Sequence, residues 1–367
     1  MELDSASRGN DRMARVFLSI LIDTCNHERF IEEAVSSVLA QDFPAGEREI
    51  LVVDDGSTDR TPEILGKFAS EIRILRKPNG GQASAFNQGI PQCQGQIVAF
   101  LDGDDWWAPN KLSAVVNAFA SYPAVGLVGH SVTEVLSDGA RRSELVRDSP
   151  QFRIDSAAGA RIFRLRKSFL GTSRMAYRAD LLRRIGPVPE ALAIEADEFL
   201  FTLGALLSEV LLLREPLTFY RLQGQNLYQV SDGNLYSLRR KHAVLLALAD
   251  ALHRRFAEER VSSDISKIIL DSVQLDADVL RLSLGDGSPL DSFRTEVRSY
   301  NLNHAHASPF RRFLKYISLV PALFFSVRRY NAIKQKLVSS SFYVKARKKF
   351  FPFHGPDHVD RTGDWSL

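Results

Sequence analysis

Three observations predict an α/β fold built on a mostly parallel sheet flanked by helices. From Val16 to Tyr122, strand-like runs alternate with helix-like patterns roughly every 25 residues, the rhythm of βαβ units. The run Ile97–Leu101 is apolar at every position, as in a strand buried on both faces. Two such runs lead directly into acidic clusters, Asp54-Asp55 and Asp102-Gly103-Asp104-Asp105. Open α/β sheets bind ligands beyond the C-terminal ends of their strands, so these clusters mark the expected site.

The elements follow in order. Met1 to Arg15 is polar and mixed in charge and is expected to be a disordered tail. Val16 to Ile22 reads as the first strand. Asn26 is the expected N-cap of a helix that places Phe30, Ile31, Ala34, Val35, Val38 and Leu39 on one face. Glu49 to Val53 is the second strand, and Thr61-Pro62 opens the next helix. Ile72 to Leu75 is a short strand, Lys77 to Gly81 a turn, Ala83 to Ile90 a helix, and Pro109 to Tyr122 another. Val125 to Val135 suggests strand, turn and strand. Ser168 to Tyr177 reads as a strand, Ala179 to Ile185 as a helix, Ala196 to Ser208 as an apolar helix, and Val210 to Arg221 as a strand. Beyond about Leu235 the pattern turns helical, over Ser237 to Phe256, Ser263 to Leu284 and from Phe310 onward. The expected division is 16–234 for the α/β domain and 235–367 for a helical, basic C-terminal region.

The 367 residues suit a core domain with an extension, and the 45% hydrophobic fraction supports a proper core. A formal charge of +3 implies no polyelectrolyte role. Two cysteines, Cys25 and Cys93, provide no disulfide framework and suggest a reducing compartment. Val16 to Ile22 ahead of Cys25 is a poor match to a lipoprotein signal, because the run is short and Asp23 interrupts it. No run approaches the roughly 20 apolar residues of a membrane-spanning helix. No G-x-G-x-x-G follows the first strand, which argues against a dinucleotide oxidoreductase. A nucleotidyltransferase would carry a glycine-rich basic loop where this chain has Asp23-Thr24-Cys25-Asn26-His27.

If the chain stays extended past Leu101, Asp102 and Asp104 point the same way and offer hard oxygens to Mg²⁺ or Mn²⁺. Asp54 and Asp55 should diverge, one facing a ligand and one bracing the loop; the alternative is a plain Asp-Gly turn. Glu195-Ala196-Asp197-Glu198 begins a helix, where acidic residues also favour the dipole.

Ser19-Ile20-Leu21-Ile22, Asn26, Val53-Asp54-Asp55-Gly56-Ser57-Thr58-Asp59, Asn87-Gln88-Gly89-Ile90 and Phe100-Leu101-Asp102-Gly103-Asp104-Asp105 together resemble the family 2 glycosyltransferases in motif, order and spacing. The resemblance is dense to Trp107 and looser to about Asn226. It implies a GT-A fold, a nucleotide-sugar donor (a UDP-sugar in the first instance), a divalent metal and inversion at the anomeric carbon. It implies that Asp55 holds the base, that Asp23 and Thr24 line the same pocket, that Asp102 faces the ribose or metal, and that Asp104 is the main metal ligand. Asp197 is implied as the base that deprotonates the acceptor hydroxyl, with Glu195 and Glu198 as rivals. Asp54 and Arg221 are supporting candidates, Arg221 as a diphosphate contact or a structural ion pair. Gly171-Thr172-Ser173 falls where the family shapes its acceptor pocket. Trp106 and Trp107 either stack on a sugar or pack in the core. The chain departs from the family in lacking Pro and an aromatic near Asp23 and Cys25, in having Phe86 in place of an arginine, and in having Gln223 in place of a histidine. Those departures leave open a non-catalytic nucleotide-sugar-binding or scaffold protein.

From Val297 to Pro356 there is no Asp or Glu, while arginines and lysines recur among bulky apolar residues. Basic amphipathic segments of this kind lie on anionic membranes. The stretch 310–351 is therefore a candidate for peripheral contact, alternatively for packing on the core or pairing with a second copy. No nucleic-acid recognition motif accompanies it. The expected partners are a nucleotide sugar and a glycan or lipid-linked acceptor, in the cytoplasm or at the inner face of the plasma membrane. His304-Ala305-His306 has alternate spacing but no partner ligand nearby.

Overall fold

The computed structural model describes residues 17–144, 149–222, 235–304 and 307–338. The expected tail over 1–15, Gln223, His306 and the segment 339–351 lie outside them. The strands are β1 (Leu18–Thr24), β2 (Arg48–Asp54), β3 (Arg73–Arg76), β4 (Ile97–Asp102), β5 (Trp106–Trp107), β6 (Val125–Leu136), β7 (Arg141–Ser143), β8 (Gln151–Phe152), β9 (Ala176–Arg178) and β10 (Glu209–Leu222). They form one sheet in the order β3-β2-β1-β4-β9-β6-β10-β5, with β7 beside β6 and β8 beside β10. The long pairings, β1 with β2 and β4 and β6 with β10, are parallel; the pairings through the short strands β5, β7, β8 and β9 are antiparallel. The α/β class and the mainly parallel sheet expected from the sequence are the fold observed.

The helices are α1 (Ile31–Leu39), α2 (Thr61–Gly66), α3 (Gln82–Gly89), α4 (Lys111–Ser121), α5 (Ala157–Arg166), α6 (Ala179–Ile185), α7 (Ala196–Leu207), α8 (Leu235–Glu258), α9 (Ser263–Ser283), α10 (Pro289–Asn303), α11 (Pro309–Leu319) and α12 (Val327–Val338). The unbroken apolar runs of the central strands have a direct cause. Ile20, Ile22, Ala99 and Leu101 face one core with α1, α2 and α4, while Leu21, Val98 and Phe100 face a second core with α3, α6 and α7. The second core also takes in Leu248 and Leu252 of α8 and Ile269 and Val273 of α9, so these helices are packed onto the sheet's own core.

Three local expectations are corrected, and one helix is added. Asn26 does not cap α1, which starts at Ile31 with no side-chain cap on its first turn. Instead Asn26 takes φ +58, and its Oδ1 accepts from the backbone N–H groups of Thr58 at 2.8 Å and Asp59 at 3.3 Å, tying the loop after β1 to the loop after β2. Val125 to Leu136 is one continuous strand, because β10 pairs along nearly all of it. Ser168 to Tyr177 is mostly two short 3₁₀ turns ahead of β9. A helix the apolar pattern did not reveal, α10, begins at a capping box of Ser288 and Asp291.

Candidate active site

The site forms where β1, β2 and β4 end side by side. Strand register places Asp23 directly across from Asp102, and Thr24 across from Asp54. The chain does not stay extended after Asp102. The Asp105 N–H donates to the Asp102 carbonyl at 3.1 Å, a turn that carries Asp104 away from the strand direction. Gly103 sits inside that turn, and a Cβ there would lie 2.5 Å from Thr24 Oγ1 and 2.7 Å from His27 Nδ1. The acidic loop therefore closes directly onto the loop after β1, and it brings His27 next to Asp104.

The electrostatics are those of crowded carboxylates. Burial pushes the Asp23 carboxyl up to about 8, with Asp104 and Asp197 adding to the shift. Burial, then Asp23 and Asp104, also hold Asp102 well above the usual carboxylate range. Asp23 Oδ1 is buried and meets no hydrogen-bond donor among the described residues. The neighbours that act most strongly on Asp23 and Asp102 are other carboxylates. Hard carboxylate oxygens in that condition suit a divalent cation. Among the described residues no three His, Cys, Asp or Glu side chains converge as a complete metal cage.

The Thr172-Ser173 turn stitches the cluster to α7. Ser173 Oγ accepts from the Asp102 N–H at 3.1 Å and lies 3.4 Å from Asp102 Oδ2. One residue earlier, Thr172 donates to Asp197 Oδ2 from its N–H at 3.3 Å and from its hydroxyl at 3.4 Å. Asp197 Oδ1 accepts from the Glu198 N–H at 2.8 Å. Adjacent residues of one turn thus hold Asp102 and Asp197 on the same site. Gln82, at the start of α3, bridges the same parts: its side-chain amide donates to Thr172 Oγ1 at 2.9 Å and accepts from the Ala196 N–H at 3.1 Å. The resemblance marks Gly171-Thr172-Ser173 only as an acceptor-pocket position, with no link to Asp102 or Asp197, and Gln82 carries no signal.

The neighbours of Asp197 point elsewhere. Glu198 Oε1 is 2.6 Å from Lys167 Nζ, which also lies 3.4 Å from Asp276 Oδ2 on α9. Glu195 takes φ +62 where the chain turns into α7, and its Oε1 is 3.2 Å from Lys241 Nζ on α8. Glu195 is thus engaged with α8 directly and Glu198 with α9 through Lys167, while among the described residues Asp197 is the one of the three bound to the Thr172-Ser173 turn.

The nucleotide-side candidates are braced. Asp55 Oδ1 accepts from Lys77 Nζ at 2.5 Å, and Asp55 Oδ2 from the Gly81 N–H at 2.7 Å. Gly81 has φ +82, and a Cβ on it would meet the Ala193 carbonyl at 2.6 Å, so this position requires glycine. Asp54 accepts from the Ser57 N–H at 2.9 Å and lies 3.4 Å from Arg76 Nε. Arg221 is held by the ion-pair alternative: Nη2 is 2.6 Å from Glu33 Oε2, Nε donates to the Asp104 carbonyl at 2.8 Å, and the guanidinium stacks between Phe30 and Trp106. Trp107 is buried, and Trp106 also stacks on Phe219 at 5.0 Å, so both tryptophans pack. Behind the site lies a group the sequence did not suggest: buried Lys111 donates to the Ser173 carbonyl at 2.7 Å and sits 3.9 Å over the Trp107 ring.

Residues 19–186 match the family model Glycosyl transferase family 2. Those residues form a family 2 glycosyltransferase domain. The chain is a glycosyltransferase. An uncharacterised glycosyltransferase of Nostoc sp. is 32% identical over 214 residues, covering 57% of this chain and 66% of that relative. An uncharacterised protein of Mycobacterium tuberculosis is 28% identical over 335 residues, covering 85% of this chain and 92% of the relative. A beta-monoglucosyldiacylglycerol synthase of Nostoc sp. is 37% identical over 109 residues, covering 28% of this chain and 23% of the synthase. Among solved structures, S. aureus TarS 1-349 in complex with UDP-GlcNAc superposes with a TM-score of 0.49 at 20% identity, covering 83% of this chain and 90% of that one.

Proposed function

We propose that this family 2 glycosyltransferase moves a sugar, with inversion, from a nucleotide-diphosphate sugar to a hydroxyl of a glycan or lipid-linked acceptor. A UDP-sugar is the donor proposed. The observation that carries the reading is the placement of Asp102 and Asp197 on adjacent residues of one turn, with Asp23 and Asp104 beside them.

In this reading residues 16–234 form the catalytic domain and 235–367 its helical extension. Asp23, Thr24 and Asp55 line the nucleotide pocket, with Asp54 bracing its loop. Asp104, with Asp102 beside it, would hold Mn²⁺ or Mg²⁺, which when bound neutralises the charge of the diphosphate. Asp197 accepts the proton of the acceptor hydroxyl as its oxygen bonds the anomeric carbon. The bond from that carbon to the diphosphate breaks, and its electron pair leaves with the diphosphate. Thr172 and the Glu198 N–H fix the Asp197 carboxylate so that it meets the acceptor in one orientation. Glu195 and Glu198 anchor the ends of this segment. Arg221 fixes the metal loop through the Asp104 carbonyl. The relative named beta-monoglucosyldiacylglycerol synthase supports a lipid-linked acceptor, and the location proposed is the cytoplasm or the inner face of the plasma membrane.

Asp197→Asn tests the assignment. Transfer should fall about 10²- to 10⁴-fold, the usual contribution of a general base, while donor binding is retained. Turnover near the wild-type rate would remove Asp197 from the mechanism. Joint loss of turnover and donor binding would make it structural.

A further inference from the structure

We propose that the outer face of α11 and the turn after it docks on a lipid bilayer bearing anionic headgroups. Phe310, Phe313, Leu314 and Ile317 follow the i, i+3, i+4, i+7 spacing of one helical face. In a helix packed on a core, that face would point inward. Here it points out: the four side chains are 68%, 58%, 44% and 52% exposed. The polar side of the helix makes the contacts with the protein instead. Tyr316 donates to Asn301 Oδ1 at 2.7 Å, and Lys315 Nζ lies 5.7 Å from the centre of the Tyr300 ring. Leu319, one of the apolar residues turned inward, is buried. The exposed apolar surface continues into the next turn, where Phe324 is 78% exposed.

Charge identifies the occupant. Arg311 on α11 and Arg328 and Arg329 on the following helix α12 are exposed, and no Asp or Glu occurs from Val297 to Pro356. A second copy presenting the same segment would bring cations against cations, since the segment carries no acidic residue of its own. An anionic bilayer supplies both an apolar layer for the phenylalanines and counter-charge for the arginines. None of the described helices is long and apolar enough to cross a membrane, so the contact lies along the surface. The inference does not depend on the transfer reaction, because it concerns binding alone.

Co-sedimentation of the full chain with vesicles tests it. Phosphatidylcholine vesicles would be compared with vesicles containing about a third phosphatidylglycerol. The protein should bind the anionic vesicles, weaken as salt rises from about 0.1 to 0.5 M, and bind neutral vesicles poorly. Phe310→Ser with Ile317→Ser should lower partitioning at least about tenfold. Both side chains face solvent, so the melting temperature should be unchanged. No binding to anionic vesicles, or binding indifferent to the double substitution, overturns the proposal. So does a concentration-dependent dimer abolished by the same substitutions without vesicle binding, which would assign the face to a second copy.

Discussion

Lys241→Met should make the protein less stable in alkali while leaving it nearly unchanged at pH 6. Lys241 on α8 is the cation beside Glu195, and their side chains are 16% and 6% exposed. Burial pushes the Glu195 carboxyl up to about 7; Lys241 works against that shift, while Glu198 and Asp197 add to it. Unfolded, a glutamate titrates near about 4.3. Between that value and 7 the folded state binds more protons, so stability falls as pH rises, by roughly 1.4 kcal/mol per unit at most. Above 7 the loss levels off in the wild type. Methionine keeps much of the apolar stem and removes the charge, so Glu195 holds its proton to higher pH and the decline continues further. At pH 6 Glu195 is protonated in both proteins, and the gap should be about 1 kcal/mol, the value of one lost hydrogen bond. At pH 9 it should approach 3 kcal/mol or so, the lower end for breaking a buried pair. The unfolding entropy of a 367-residue chain is about 0.8 kcal/mol/K, so calorimetry should show a melting gap of about 1 °C growing to about 4 °C. A gap that is constant with pH, or larger at pH 6, would refute the role given to Lys241.

Other consequences follow from the same buried groups. Arg174→Met removes the buried guanidinium that donates to the Glu144 carboxylate at 2.9 and 3.1 Å, and should cost about 3–5 kcal/mol, read as a melting loss of about 4–6 °C. Burial, with Lys111 and Arg174 nearby, holds the His130 imidazole well below its ordinary range. The unfolded chain alone takes up that proton, so this contribution is lost as pH falls below about 6.5, and His130→Gln should flatten the decline in melting temperature from pH 7 to 5. Gly81→Ala should destabilise by at least about 1–3 kcal/mol, because its left-handed backbone and the Ala193 carbonyl leave no room for a methyl group, and denaturant unfolding would measure the loss.

The parts legible in the sequence were those set by local pattern. Runs such as Ile20-Leu21-Ile22 must divide between two cores, and that requirement wrote the strands openly. Asp102 and Asp104 were visible because charge directly after a buried strand has few structural reasons to be there. What escaped notice depends on contacts between distant residues. Gln82 and Thr172 lie 90 residues apart, and neither is unusual in its own segment. Asn26 has the identity of a helix cap, yet it serves a neighbouring loop, a choice made by the approach of Thr58 and Asp59. The single strand over Val125–Leu136 was hidden because its continuity comes from β10, more than 70 residues later. The sequence of α11 shows its amphipathic character, but only the packed structure shows that its apolar side is the outer one.

The most direct test of the account is thermal stability with a panel of nucleoside diphosphates, with and without Mn²⁺, on the wild type and Asp104→Ala. A nucleotide at about 100 times its Kd should add roughly 2.7 kcal/mol. The expected result is that one nucleotide stabilises the wild type only when Mn²⁺ is present, and that Asp104→Ala abolishes the effect. Stabilisation that ignores both the metal and Asp104 would contradict the site as drawn.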